Sequence, residues 1–386
     1  MNKRIINMLF LMAIFLYVFV SFCRPIFKPK NIIEQENRYA NKFENISMNS
    51  FLNGTLQNNF EDTFSDQIIL SGRLKTANNL FKGIIVDEMV KSYYKKHDLS
   101  YLKIDNVNFY GPNNLVYSTR DLNDLKQYYD DKIDNYNNLI KKYPKIDFYA
   151  YYIEKDTDIN FDTNEKAKIY EYLQSRINAK RAKFEINSFE EFNNYFYKTD
   201  HHWNYKGSYK AYTSLLKFMN IKSEPKEGVE KCLNLSFSGS KASSSIFSNI
   251  LRDEFCSYQF DFDDMNITVN GIEGDYGYQN EYNSGQLTYN ISYGNYYGGD
   301  DGEIIFSTNN KKLDNILIVG ESYDNAILKL LAEKFNTTIS IDLRNYNHYM
   351  KKDFDFDYYV KKYKIDKVLF IGNVDFYTMS QFMINN

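Results

Sequence analysis

The stretch 315–371 sets the tightest limit on the fold. Ile316-Leu317-Ile318-Val319 is an unbroken apolar run ended by Gly320. Further apolar strands are expected at 338–343 and 367–371, with helical patterns near 323–334 and 356–363 between them. Short apolar strands alternating with helices predict a parallel sheet covered on both faces, because each crossover helix hides one face from water. In such sheets reactive groups collect at the carboxyl ends of strands.

The same alternation runs upstream. Leu122, Leu125, Tyr129, Ile133, Tyr136 and Ile140 fall three or four apart and predict an amphipathic helix over 121–141. Pro144 stops it, and 146–153 reads as a buried strand. Helices are expected at 163–179 and 205–219, the latter with Ala211, Tyr212, Leu215, Leu216 and Met219 on one face. Over 223–310 the pattern breaks into Ser-, Gly-, Asp- and Tyr-rich sequence with β-like runs at 266–269 and 287–292. This is too long for a bare loop, so it reads as a β-rich insertion decorating the α/β core.

At the N-terminus, residues 5–22 are uncharged and just long enough to span a bilayer core as a helix. Lys3 and Arg4 precede it and would hold the short tail 1–4 in the cytoplasm. No small-x-small cleavage site stands out, which favours an uncleaved signal-anchor over 5–23. A polar, weakly patterned stalk is then expected at 24–59, and an outer domain over 60–386.

A net charge of −3 and a pI near 5.9 offer no electrostatic case for nucleic acid. Thirty-six Tyr and 30 Phe fit sugar-binding aromatics, but an AT-rich genome produces the same bias. Cys232 and Cys256 lie beyond the apolar segment, free to bridge in an oxidising compartment or to stay as two thiols. No CxxC or other metal-ligand spacing occurs.

The chemistry concentrates in Asp200-His201-His202-Trp203, which holds half of the four histidines and the only tryptophan. A serine hydroxyl needs a base to take its proton, and that base needs a carboxylate to fix its tautomer. Asp200 and His202, one residue apart, can project to the same side of an extended turn, with His201 pointing the other way. Asn204 is a plausible cap for the following helix and would anchor the imidazole. Trp203 could wall the site or stack on a sugar. The alternatives are a polar capping turn or a metal cluster, and no second Asp/His group completes the latter. Ser322, after the strand ending at Gly320, is placed to expose its hydroxyl beside backbone N–H groups. A serine there is also an ordinary helix cap.

The segments TDHHWNYKGSYKAY, NYYGGDDG, ILIVGESYDNAI and ISIDLRNYNHYM together resemble the bacterial DHHW family. That family is similar to the SGNH-hydrolase-like proteins of exopolysaccharide O-acetylation, typified by the alginate acetylation proteins AlgJ and AlgX. ENRYANKF and FEDTFSDQIILSGRLKTAN fit the early region of the group, so the resemblance covers about 36–386. It implies an SGNH-hydrolase-like α/β fold, with Asp200 and His202 as the acid–base pair and Ser322 as nucleophile. The order Asp, His, Ser follows the alginate group rather than ordinary SGNH hydrolases. Glu321 stands where many of those have Asp, a change expected to matter little. Asn373 loosely matches the oxyanion block. Arg344 follows the next strand and could border the site.

The resemblance further implies a membrane-anchored, extracytoplasmic O-acetyltransferase of a cell-envelope or secreted polysaccharide, working through an acetyl-serine. No cofactor is implied. The expected partner is a membrane-bound O-acyltransferase that passes acetyl groups across the membrane. A carbohydrate acetylesterase and a non-catalytic polysaccharide-binding subunit stay open as alternatives. In each case Tyr296 and Tyr297, with Tyr276, Tyr278 and Tyr293, are candidate sugar-stacking rings.

Overall fold

The computed structural model describes residues 3–29, 31–33, 38–43, 47–68, 101–104, 106–110, 114–245, 247, 251–278 and 291–384, with single positions between 77 and 92. The chain divides into two compact units, Met1–Leu99 with Ser240–Leu251, and Ser100–Gly239 with Arg252–Asn386.

In the first unit, helix α1 (Lys3–Phe27) continues through Arg24 and Pro25. Its segment Arg4–Phe27 is long and apolar enough to cross a membrane. Part of the expected stalk is helical instead, in α2 (Met48–Leu52) and α3 (Thr55–Gln67). The Ser47 side chain accepts from the Ser50 N–H, and the Ser50 hydroxyl accepts from the Ser47 N–H, which caps α2 without any apolar stripe.

The second unit is built on an eight-stranded sheet. Its strands are β1 (Asp147–Ile153), β2 (Lys180–Phe184), β5 (Asn266–Val269), β6 (Ile272–Glu273), β7 (Glu303–Ser307), β8 (Asn315–Val319), β9 (Thr337–Ile341) and β10 (Lys367–Gly372). In chain order β3 (Val229–Phe237) and β4 (Asp253–Gln259) come between, as a separate antiparallel hairpin. Across the sheet the order is β6-β5-β7-β9-β8-β10-β1-β2. From β9 to β2 every pairing is parallel. The β7, β5 and β6 strands extend it antiparallel. The parallel expectation therefore holds for the centre, while the inserted region extends the sheet as well as decorating it.

Strand β8 shows why the sheet is sandwiched. Ile316 and Ile318 enter one buried cluster, Leu317 and Val319 the other, and all four are fully buried. Alternate side chains of a strand point to opposite faces, so an all-apolar strand needs cover on both. Each such side chain stabilises the fold by about 1.5–3 kcal/mol. Helices α7 (Tyr205–Phe218) and α9 (Asn325–Ala332) cover the first face. The second is covered by α4 (Leu122–Lys142), α5 (Ile169–Arg176), α10 (Leu343–Met350) and α11 (Phe356–Tyr363). Two shorter helices, α6 (Phe189–Tyr195) and α8 (Tyr293–Tyr297), pack near the turn that carries Asp200 and His202.

Local chemistry explains the boundaries. Asp121 caps α4 by accepting from Asn123 N–H, and Lys141 and Lys142 complement the negative end of its dipole. The helix expected over 163–179 starts only at Ile169, because Glu165–Lys166 pairs as a small strand and Lys168 sits at φ 57. Helix α10 was not anticipated. Asp342 accepts from the Arg344 N–H and ends the strand at Ile341, two residues earlier than expected. The run expected at 287–292 falls largely outside the described residues. Cys232 and Cys256 face each other in the β3–β4 hairpin and are joined by a disulfide.

Candidate active site

Asn204 accepts hydrogen bonds from the Lys206 and Gly207 N–H groups and so starts α7. Immediately before it, Trp203 bridges antiparallel to Phe196, and Tyr197 N–H donates to His202 O. The turn bearing Asp200 and His202 is thus clamped at its C-terminal side by backbone bonds. On its N-terminal side Asp253, at the start of β4, accepts from Lys198 N–H, Thr199 N–H and the Thr199 hydroxyl. Burial raises the Asp253 carboxyl above its usual range, while those three donors pull it down. Gly239 fits against the same turn: a Cβ there would meet Asp200 Cβ at 2.2 Å.

Ser322 stands just past the carboxyl end of β8, in a turn closed by Asp324 N–H donating to Glu321 O. Its Oγ lies 2.8 Å from His202 Nε2. His202 Nδ1 lies 2.5 Å from Asp200 Oδ1, which also accepts from the His202 backbone N–H at 3.0 Å. All three side chains are buried. With the ring proton on Nδ1 facing the carboxylate, the Nε2 lone pair faces the serine hydroxyl. This arrangement can accept the serine proton and stabilise the imidazolium that results.

His201 does not point away. The turn is bent rather than extended, and the His201 and His202 ring centroids are 3.9 Å apart. Donor atoms of Asp200, His201 and His202 lie within 4.8 Å of one another, a set that could hold a metal ion. Asp200 Oδ1, however, already serves His202.

Glu321 was expected to matter little, yet it is buried and accepts from the Asn373 backbone N–H at 2.8 Å. Burial pushes its carboxyl up to about 7, opposed by that hydrogen bond and by the charges of Arg344 and Lys155. Asn373 therefore has its backbone N–H committed, and its Oδ1 accepts from Asp375 N–H. Arg344 lies near this group with its guanidinium on Asp342 and 3.3 Å from Asp300. Asp324 is driven well above its usual range by burial and by the neighbouring carboxylates.

The structure does not place the expected sugar-stacking rings at the surface. Trp203 is fully buried, edge-on to Phe184 and Tyr323, with its Nε1–H donating to the Tyr293 hydroxyl at 3.2 Å. An isolated bridge to Phe196 holds its backbone, and the side chain packs inward against Tyr293 and Tyr323, the same two rings that His202 touches. Tyr296 and Tyr297 are buried against Phe255, with Tyr278 beside them. Tyr276 and Tyr293 are buried as well. These rings build the core between the insertion and the sheet. Asp253 and Tyr293 are residues the sequence reading did not connect with Asp200 and His202. The Ser292-x-x-Asn295 cap at the start of α8 was the one local signal.

No family model matches the chain, and no curated protein matches it by sequence. Solved structures match in fold. Bacillus cereus PatB1 with a sulfonyl adduct aligns at TM-score 0.57 and 18% identity, over 75% of this chain and 100% of that one. A second structure of Bacillus cereus PatB1 aligns at TM-score 0.53 and 20% identity, over 74% and 99%. A DHHW family protein from Eubacterium siraeum aligns at TM-score 0.58 and 15% identity, over 75% and 99%. At these identities the likeness is one of fold, and in fold this chain resembles the DHHW family to which its Asp-His-His-Trp segment pointed.

Proposed function

We propose that this protein is a membrane-anchored, extracytoplasmic O-acetyltransferase acting on a cell-envelope or secreted polysaccharide. The observation that carries the reading is the contact chain Ser322 Oγ, His202 Nε2, His202 Nδ1, Asp200 Oδ1, drawn from segments 120 residues apart.

His202 Nε2 takes the proton as Ser322 Oγ attacks the carbonyl carbon of an acetyl donor. The tetrahedral oxyanion is held by the Ser322 backbone N–H, with the Asn373 side-chain amide nitrogen as second donor. The donor alcohol leaves with the proton from His202, and an acetyl-serine remains. A sugar hydroxyl then gives its proton to His202 and attacks that ester, and Ser322 departs reprotonated. Asp200 keeps the ring in the required tautomer throughout. Water in place of the sugar would make the protein an esterase. As acetyl donor, a membrane-bound O-acyltransferase supplies the acetyl ester whose alcohol leaves in this step, and α1 holds the outer domain at the same membrane.

PatB1 has been seen with a sulfonyl adduct, and the same chemistry tests this chain. A sulfonyl fluoride should add to the peptide containing Ser322 in the full-length protein and not in Ser322→Ala. Acetyl transfer from 4-nitrophenyl acetate to an oligosaccharide should likewise need Ser322. Equal labelling of both proteins, or of neither, would remove the nucleophile from the proposal.

A further inference from the structure

The ring of Tyr293 lies flat on the imidazole of His202, with centroids 3.9 Å apart and planes within 2°. His201 places a second ring 3.9 Å from the same imidazole. One face is filled by the parallel tyrosine, so a ring at that distance has room only on the other. The imidazole is held between two aromatic rings.

Tyr293 is itself fixed from two directions. Its hydroxyl accepts from Trp203 Nε1–H at 3.2 Å and donates to the Tyr323 carbonyl at 3.3 Å. Trp203 directly follows His202, and Tyr323 directly follows Ser322. One phenol thus ties together the two segments whose side chains meet at 2.8 Å. The ring is buried, and Ser292 caps α8 to hold its backbone.

We infer that Tyr293 is a positioning residue for the nucleophilic site: its ring sets the plane of the His202 imidazole and its hydroxyl sets the spacing between His202 and Ser322. Imidazole rotation about its last side-chain bond is soft, since torsions onto a planar ring have broad minima. The hydrogen bonds at Nδ1 and Nε2 restrain the ring but, with their tolerance in length and angle, leave its tilt some freedom. A flat ring stacked at van der Waals distance removes that freedom, and misplacement on the ångström scale costs such reactions about a hundredfold. This rests on the reading of Ser322, His202 and Asp200 as a nucleophilic site.

Two measurements on the full-length protein test it. With 4-nitrophenyl acetate, Tyr293→Phe keeps the stack and loses the tie, and kcat should fall about threefold. Tyr293→Leu loses both, and kcat should fall at least about tenfold with KM unchanged. The second needs no turnover. With carbon-13-labelled histidine, the ring C–H resonance of His202, assigned by its loss in His202→Gln, should be shifted upfield by the stacked phenol. Tyr293→Leu should return it toward the position of a free imidazole. Wild-type kcat in Tyr293→Leu, or a change confined to KM, would overturn the assignment. An unshielded His202 resonance in the unaltered chain would do so even if Tyr293→Leu fails to fold. A shielded resonance in a protein without turnover would instead leave the stack intact and sink the proposed function.

Discussion

Glu321 accepts a hydrogen bond at 2.8 Å from the Asn373 backbone N–H, joining the carboxyl ends of β8 and β10 beside Ser322. A buried carboxyl thus stands next in sequence to the proposed nucleophile, with its pKa moved from 4.5 to about 7 by burial. The bond from Asn373 persists in either protonation state, because one carboxyl oxygen can accept while the other carries a proton.

That shift has a definite sign. The unfolded chain releases the Glu321 proton near 4.5 and the folded chain near 7, so between these values the folded state binds more protons. The contribution to stability therefore declines as pH rises through this window. Glu321→Gln keeps an acceptor for Asn373 and does not titrate. Relative to it, the unaltered protein should lose on the order of 3 kcal/mol between about pH 4.5 and about pH 8. Urea unfolding of both proteins at the two pH values measures the difference, and a constant gap would contradict the assignment to Glu321.

Ser322→Ala and His202→Gln should each lower kcat for ester cleavage by three orders of magnitude or more, roughly, with folding unchanged. Asp200→Asn should cost a comparable factor, since the amide presents an N–H to Nδ1 and favours the wrong tautomer. The double variant Ser322→Ala, His202→Gln should be little worse than either single one, because the groups act as a unit. Additive losses would show that the two side chains act separately.

Gly239→Ala should impair the site without touching it. The added Cβ would stand 2.2 Å from Asp200 Cβ and 2.5 Å from its Oδ2, so the Asp200 turn must shift. We expect kcat to fall about tenfold or more, with the circular dichroism spectrum retained. Full activity would mean that the turn has slack around Asp200.

Cys232→Ser with Cys256→Ser should destabilise the protein by about 3 kcal/mol, the loop-closure contribution for a disulfide spanning this many residues. The pair is 24 residues apart. The same hairpin carries Asp253, which braces the residues before Asp200. Reduction should therefore lower activity before the chain unfolds. An activity that tracks only the unfolded fraction would separate the disulfide from the site.

Much of the central sheet was legible because periodicity is a local property. Helix α11 has the bounds expected from its pattern, and Asn204 caps α7 as its position suggested. The antiparallel strand β7 was not legible. Its sequence, Glu303–Ser307, carries no sign of which edge it will join, and pairing is decided by β9 lying free for it. The tyrosines of the insertion were misplaced for a related reason. A phenol has an apolar body and a polar tip, so composition does not say whether it faces a sugar or a core.

Residue type and order by themselves determined that a serine after an apolar strand and an Asp-x-His pair were available, in a chain beginning with a long apolar segment. Only the tertiary structure decided that Ser322 Oγ and His202 Nε2 stand 2.8 Å apart, that Tyr293 lies against the imidazole, and that Trp203 turns inward. Side-chain chemistry and backbone periodicity are encoded over a few neighbouring residues. Distances across 120 positions depend on how the sheet, the turns and the insertion pack at once, and no short stretch of sequence contains that sum.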